Sequence, residues 1–594
     1  MKIIFYISFF FFLFTACNHN IKQAGNKQQI STSSGIDIIN NNKLKYISID
    51  NDFGKIIRIK GENPDSFSHK VITKKQPKFI YNLSTSIPLI KKSSYKKGTV
   101  LLLSFEAITQ TSSLETGEAK ILWILNQSDS YKHNLEKTIS VSPEWTKYYL
   151  PFRTTKNISK HDFNLVMQYG FRPQSFIIKN IKFEVFPSGT KISDLPKTKI
   201  TYSGMEKDAE WRKEAIERIE KIRKGDFTLT FTDNGAPVHG AKVKIELVKH
   251  DFRFGAALSA QDIVENSLEY RRFKQFFNTT VLENDLKIKR WKNKKRKKTT
   301  LKALEILKKD NIDVKGHVLV WPGLRYLPEE VRKNKNHPKK VTNYINNHVK
   351  NILKETKGMV SHWDVVNEAY TNKDLQKITG SEKILYNAFR ITKRTQPEAK
   401  RFTNEYGIIS KGGIDKKKQQ WYYDFIQRVD KHTGELVDGI GIQSHIGSDL
   451  TSPAKVLDIL DYYSALEKEI SISEFTMAIQ EPDIKEQYTR DFMIAAFSHP
   501  AITEFMFWGC MYNERNKVDV FNLDGSLGTM GKAFDGLVNG QWKTKIEDIT
   551  DKQGKLQGRG FFGAYKYILF YKGKKKTGNF YLKPGEIGDI KIEI

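Results

Sequence analysis

Lys315-Gly316-His317-Val318-Leu319-Val320-Trp321 is a short, largely apolar run that follows a helical stretch from Thr300 to Lys309. The same arrangement returns where Val360 to Asn367 follows the helical stretch Val341–Lys357. Strand-like and helix-like stretches alternate in this way from about Phe252 to Phe570. Such alternation over roughly 300 residues predicts a parallel sheet closed into a (β/α)₈ TIM barrel. In that architecture the working side chains stand at the C-terminal ends of the strands.

Outward from the barrel, the chain divides into further units. Before it, Phe227–Phe231 and Ala241–Leu247 alternate as strands around the turn Asp233-Asn234-Gly235. Ser203 and Glu206 have capping-box spacing and predict a helix over Met205–Lys224, with Gly225 as its stop. Earlier still, short runs such as Thr99–Phe105, Ile121–Leu125, Tyr148–Phe152, Phe163–Met167 and Phe176–Ile178 are separated by turn residues. They predict a β-sandwich of jelly-roll type. The stretch Val141–Phe152 resembles one in jelly-roll carbohydrate-binding modules, which implies a carbohydrate-binding-module-like sandwich; Trp123 and Trp145 in it suit either a core or a sugar-stacking surface, and core is the favoured reading. Lys2 and the apolar run Ile3–Phe14 fit a secretory signal and are too short to span a bilayer, which takes ~20 residues. The expected organisation is a signal at 1–16, a tether at 17–35, a β-sandwich at 36–187, a linker helix with a small β element at 188–250, the barrel at 251–575 and a C-terminal β extension at 576–594.

Composition limits the function classes. With 39% hydrophobic and 12% aromatic residues the chain can build large cores, so a mainly disordered protein is excluded. Two cysteines, Cys17 and Cys510, cannot make a disulfide scaffold or a four-cysteine zinc site. No His, Cys, Asp and Glu cluster has metal-ligand spacing and no phosphate-binding glycine loop is present, so no metal and no cofactor is expected. A formal charge of +31, from 98 Lys and Arg against 67 Asp and Glu, raises nucleic acid, anionic membranes and acidic substrates as partners. The excess reads as Lys spread over helices and loops. The basic run Lys292–Lys298 reads as a solvated loop rather than a nucleic-acid patch.

Two glutamates end apolar runs: Glu368 after Trp363-Asp364-Val365-Val366-Asn367, and Glu474 after Glu469-Ile470-Ser471-Ile472-Ser473. A carboxylate at a barrel mouth is costly to desolvate. A pair of them suits glycoside hydrolysis, one protonating the departing oxygen and the other attacking the anomeric carbon or activating water.

Here the chain resembles glycoside hydrolase family 10, the retaining endo-β-1,4-xylanases. The likeness runs in order along the strands. It comprises Phe252-Arg253-Phe254-Gly255-Ala256-Ala257, Glu283-Asn284-Asp285-Leu286-Lys287, Gly316–Trp321, Trp363–Glu368, Thr403-Asn404-Glu405-Tyr406, Asp438–His445, Ile472-Ser473-Glu474-Phe475 and Phe507-Trp508-Gly509. The resemblance implies a general acid/base at Glu368, a nucleophile at Glu474 and His445 in contact with the nucleophile. It implies Asn367 on the sugar 2-hydroxyl, further glycone contacts from Asn284, Lys287, His317 and Gln443, and aromatic walls from Trp321 and Trp508. The sequence departs from the family pattern at Ile288, where a Trp is usual, and at Pro322, where a His is usual. After Gly509 the expected acidic and Trp positions read Cys510 to Asn516. Lys532–Asp535 with Gly558–Gly563 resembles the family's branch with an extended C-terminus.

Thr15-Ala16-Cys17 resembles a lipobox, which implies cleavage before Cys17 and its lipidation. Asn18 then favours the outer membrane or cell surface. The sequence therefore predicts an exported, lipid-anchored, monomeric retaining endo-1,4-β-xylanase whose partners are xylan and, through the lipid, a membrane, with no nucleic acid. The competing expectations are a retaining glycanase for another β-linked polysaccharide and a surface lipoprotein that binds glycan without turnover.

Overall fold

A computed structural model describes residues 35–594, except 62–65, 91–92, 114–118, 127–133, 143, 162, 199, 414, 448–449, 480, 513–517 and 587. The expected signal, nearly all of the tether, and Cys17 lie outside the described residues, as does most of Cys510–Asn516. Eight parallel strands form the barrel: β1 Arg253–Leu258, β2 Thr279–Leu282, β3 Asp313–Val320, β4 His362–Asn367, β5 Lys400–Glu405, β6 Gly439–Ile442, β7 Glu469–Met477 and β8 Ile502–Phe507. Each pairs with its neighbour in sequence, and β8 closes on β1 through Phe254↔Phe505 and Gly255↔Met506. His445–Ile446 extends β6 and pairs with Thr476–Met477 of β7. Helices lie between successive strands, the longest being Lys294–Lys309, Pro338–Glu355, Lys416–Thr433 and Pro482–Ser498. Strands covered on both faces can be apolar throughout, which is why these runs do not alternate. Gly316 shows how tight the wall is: a Cβ there would lie 2.2 Å from the buried ring of Trp363 on β4.

The β element before the barrel has a partner that sequence order conceals. Strand Lys224–Asp233 pairs antiparallel with Lys555–Phe561 and parallel with Gly588–Glu593, while Lys242–His250 pairs with Lys545–Ile549 and Gly563–Tyr571. Residues 224–250 and 545–593 thus form two four-stranded sheets. Strands from 545 to 571, which the sequence places within the barrel, belong to this assembly instead. The linker helix is shorter than expected. It spans Glu210–Ile222 behind Ala209, which provides no side-chain cap, so Ser203 and Glu206 do not act as a capping box. The helix is fixed by tertiary contacts. Arg212 and Tyr202 both bond Asp491 on a barrel helix, at 2.7 and 2.8 Å, and Arg223 donates to the carbonyls of Phe497, His499 and Ile502.

The N-terminal unit is a sandwich as expected. A seven-stranded sheet containing Val100–Ser112 and Gln174–Val185 faces a four-stranded sheet containing Ala119–Asn126 and Asn164–Gln168, and the two share one core. Trp123 is fully buried in that core, while Trp145 is half exposed with the Lys179 ammonium 4.2 Å over its ring. Lys137 and Lys197 reach Glu481 at the edge of the barrel, at 3.7 and 2.9 Å.

Two buried histidines predict acid lability. His250, ringed by Phe254, Phe497 and Phe561 where the barrel meets the two four-stranded sheets, and His348 on a barrel helix are each pushed by burial to a pKa of about 4. Between pH 6.5 and 4 the unfolded chain takes up protons that the folded chain refuses. Stability is therefore full above pH 6.5 and falls as pH drops toward 4, by on the order of 3 kcal/mol for each histidine. Urea unfolding at pH 7 and pH 4.5 measures the difference, and His348→Gln removes its share of it.

Candidate active site

The strand ends bring Glu368 and Glu474 into one hydrogen-bonded set. Gln443, just beyond β6, joins them: its Nε2 donates to Glu368 Oε1 at 3.2 Å, and its backbone carbonyl accepts the Glu474 N–H at 3.0 Å. Asn404 on β5 forms a second link. Its carbonyl accepts the Glu368 N–H at 2.9 Å and its Nδ2 donates to Glu474 Oε1 at 2.8 Å. Residues 106 positions apart in the chain thus share two intermediaries.

Their surroundings differ. Glu474 is 4% exposed and lies between Asn404 and His445, whose Nε2 is 3.2 Å from Oε2. A carboxylate can only accept, so Nε2 carries the proton of that bond. Nδ1 of His445 meets the Thr476 hydroxyl at 3.0 Å. Burial pushes the Glu474 carboxyl up, but the His445 hydrogen bond and the charges of His317, His445 and Lys287 outweigh it and hold the group below its usual range. Glu368 is only partly buried and has φ of 54°. Its Oε2 accepts from Trp321 Nε1 at 3.2 Å and Asn372 Nδ2 at 3.3 Å.

The other expected site residues gather around this pair. Lys287 Nζ donates to Asn284 Oδ1 at 3.0 Å and sits 5.2 Å over the Trp321 ring. His317 Nδ1 is held 2.8 Å from Asp364 Oδ2, and its ring stands edge-on to Trp508, with centroids 5.1 Å apart. Asn367 Oδ1 accepts from Gln443 Nε2 at 3.3 Å, while its buried Nδ2 has no partner among the described residues. A buried donor left unpaired is expensive, so this amide suits a ligand oxygen. Among the described residues no His, Cys, Asp and Glu group has the makings of a metal site.

The sequence model of glycosyl hydrolase family 10 matches residues 244–517. The barrel belongs to that family. The chain is 28% identical over 357 residues to endo-1,4-beta-xylanase 1 of Arabidopsis thaliana, a match covering 59% of this chain and 36% of that one. It is 27% identical over 380 residues to the anti-sigma-I factor RsgI6 of Acetivibrio thermocellus, covering 62% and 48% respectively. The chain thus spans about half or less of the length of these relatives. Among solved structures, xylanase 10B of Thermotoga petrophila in complex with xylobiose is similar at 23% identity and a TM-score of 0.44, over 49% of this chain and 95% of that one.

Further residues stand around the pair. For Asn404 the sequence signal is its position, an amide near the end of β5 much as Asn367 ends β4. Asn372, Asp364 and Thr476 carry no such signal. Tyr326 stacks on Trp321 at 3.5 Å, which only the loop after β3 decides. Beside the site, Glu405 and Lys418 form a buried ion pair at 2.9 Å. Burial against the pull of Lys418 raises Glu405 to about 7. Glu405 also accepts the Tyr370 N–H at 3.1 Å, which ties the loop carrying Glu368 to β5. Of the departures, Ile288 is buried at the start of the short helix Ile288–Trp291, and Pro322 is buried with its carbonyl accepting the Leu375 N–H at 3.0 Å. Cys510 is a buried free thiol, and burial pushes its pKa up.

Proposed function

We propose that the family 10 barrel hydrolyses β-1,4-xylosidic bonds of xylan with retention of anomeric configuration. The observation that carries this is the unequal carboxylate pair. Glu474 is buried, doubly hydrogen-bonded and held ionised, as a nucleophile must be; Glu368 is more open. In the first step Glu474 attacks the anomeric carbon while Glu368 gives its proton to the departing glycosidic oxygen. In the second, Glu368 takes a proton from water, whose oxygen displaces Glu474 and regenerates both groups. Asn367 Nδ2 offers the donor for the 2-hydroxyl, a bond that strengthens as the ring gains oxocarbenium character. Trp321 and Trp508 offer apolar faces to the sugar C–H surface.

Proton NMR of the first products from xylan tests the reading: β-anomers appearing first support it, and α-anomers appearing first overturn it. His445→Ala removes one hydrogen bond to a charged group, worth ~1.5–3 kcal/mol. The expected fall in kcat/KM is therefore roughly 10- to 100-fold, measured on xylohexaose. Ile288 and Pro322 favour a second reading, the same chemistry on another β-linked polysaccharide. A panel of purified polysaccharides that left xylan intact and released sugars from another would support that one. We also propose export and lipid anchoring through Cys17, on the strength of the apolar run and the small residues before it. Incorporation of a clickable palmitate analogue, lost in Cys17→Ser, is the test.

A further inference from the structure

The positive charge is not evenly spread. Residues 287–357 hold 22 Lys and Arg against six Asp and Glu, a net +16 of the chain's +31 in about an eighth of its length. Much of this charge stands on two barrel helices, Lys294–Lys309 and Pro338–Glu355. Their apolar faces, with Ala303, Leu304 and Leu307 on one and Val341, Ile345 and Val349 on the other, are buried, so the lysines stand outward. The acids Glu330 and Glu355 are taken up by Lys292 and Lys297, the second pair tying one helix to the other. Lys295, Lys298, Lys302, Lys350 and Lys354 are exposed and make no ion pair among the described residues. Like charges this dense repel one another, and a polyanion relieves the repulsion.

The basic stretch begins at the cleft. Lys287 stands over Trp321, Lys289 donates to the Arg325 carbonyl at 2.6 Å, and the Arg325 guanidinium lies 4.5 Å over Tyr326, which stacks on Trp321. The rim of the cleft and the start of the helix Lys294–Lys309 thus share one basic stretch of chain. The stretch lacks the exposed aromatic platforms on which single-stranded nucleic acids stack: Trp291 is buried and Tyr344 is half-buried.

We propose that this outer wall is a second, non-catalytic binding face for uronate-bearing polysaccharide, which holds acidic glycan next to the cleft. The choice of glycan over other polyanions rests on the xylanase reading above. Solvated lysines facing solvated carboxylates give binding that is weak per contact and falls steeply with salt.

The test uses the full chain and a variant with Lys295, Lys298, Lys302, Lys350 and Lys354 each changed to Gln, both also carrying Glu474→Gln for the binding assays. Binding to polygalacturonate, a uronate polymer without xylosidic bonds, is measured by affinity electrophoresis at 20 and 300 mM NaCl, with 4-O-methylglucuronoxylan and neutral xylan alongside. The expected result is retention by both acidic polymers at low salt, at least ten-fold weaker in the five-lysine variant and at high salt, with little retention by neutral polymer beyond the cleft's own. Hydrolysis of neutral xylo-oligosaccharides by the five-lysine variant with Glu474 intact should be unchanged. Equal retention of both chains by polygalacturonate overturns the proposal. So does tighter binding, lost in the variant, to duplex DNA or to phosphatidylglycerol vesicles than to the uronate polymers. If xylo-oligosaccharides are not cleaved but polygalacturonate retention depends on the five lysines, the catalytic reading fails and the binding face stands.

Discussion

Under the proposed mechanism Glu474→Gln is expected to lower kcat on xylan by roughly 10⁴-fold or more, with thermal stability within a few degrees of wild type. The size follows from the chemistry: an amide has no anionic oxygen to form the glycosyl ester, and no neighbouring group at this position substitutes for it. The near-neutral effect on folding follows from the surroundings. Asn404 Nδ2 and His445 Nε2 both point donors at Glu474; the Gln oxygen satisfies one of them, and a buried negative charge is removed at the same time. Reducing-sugar release and a melting curve on the same preparation check both halves. A variant that stays folded and keeps wild-type turnover removes Glu474 from the nucleophile's place. Glu368→Gln loses activity on xylan by a smaller factor, the ~10²–10⁴ expected of general acid–base catalysis.

Lys315→Met is expected to have the largest effect on stability. Lys315 is buried inside the barrel, 3.0 Å from Glu504, 3.6 Å from Asp364 and 3.0 Å from the Ser471 hydroxyl. Glu504 also meets His362 at 2.7 Å and Arg253 at 3.5 Å, and Asp364 holds His317. Burial opposes the Lys315 charge, but Asp364 and Glu504 more than restore it and hold its pKa above the usual value. Burial likewise opposes the Glu504 charge, and Lys315 and His362 drive its carboxyl well below its usual range. Removing the ammonium leaves Asp364 with His317 as its remaining partner and Glu504 with His362 and Arg253, so two buried carboxylates share less positive charge. Breaking such a pair costs about 3–5 kcal/mol, a large part of the 5–15 kcal/mol that stabilises a typical domain. The expected result is a fall in melting temperature of about 10 °C with loosened positioning of His317, read as a rise in KM. Adding Glu504→Gln to Lys315→Met should recover part of the stability, because one of the stranded charges is then neutral. A single variant as stable as wild type would show that the cluster is not held as an ionic network.

The barrel and the site were legible in the sequence to different depths. Strand ends and helix ends are local, and the run Lys315–Trp321 carries its period and its terminal polar residues within seven positions. The candidate pair was legible because Glu368 and Glu474 each end an apolar run, where a charge is costly to desolvate. The basic wall showed in the sequence as the run Lys292–Lys298, which reads as a loop; the structure puts most of that run on the helix Lys294–Lys309, whose outward face, with that of Pro338–Glu355, carries the charge.

Other features depended on long-range closure. Nothing near Lys224–His250 indicates that its strands pair with residues more than 300 positions later, because backbone hydrogen bonds between distant strands leave only a generic alternation behind. The linker helix kept its polar capping signal but did not use it, since Arg212 and Arg223 gain more from the barrel. Amino-acid order by itself determined the element types, the barrel and the two carboxylates. Tertiary structure decided which amides join those carboxylates, which charges are buried beneath them and which strands complete the two four-stranded sheets. Each of these depends on contacts between side chains or strands that only closure of the chain brings within reach.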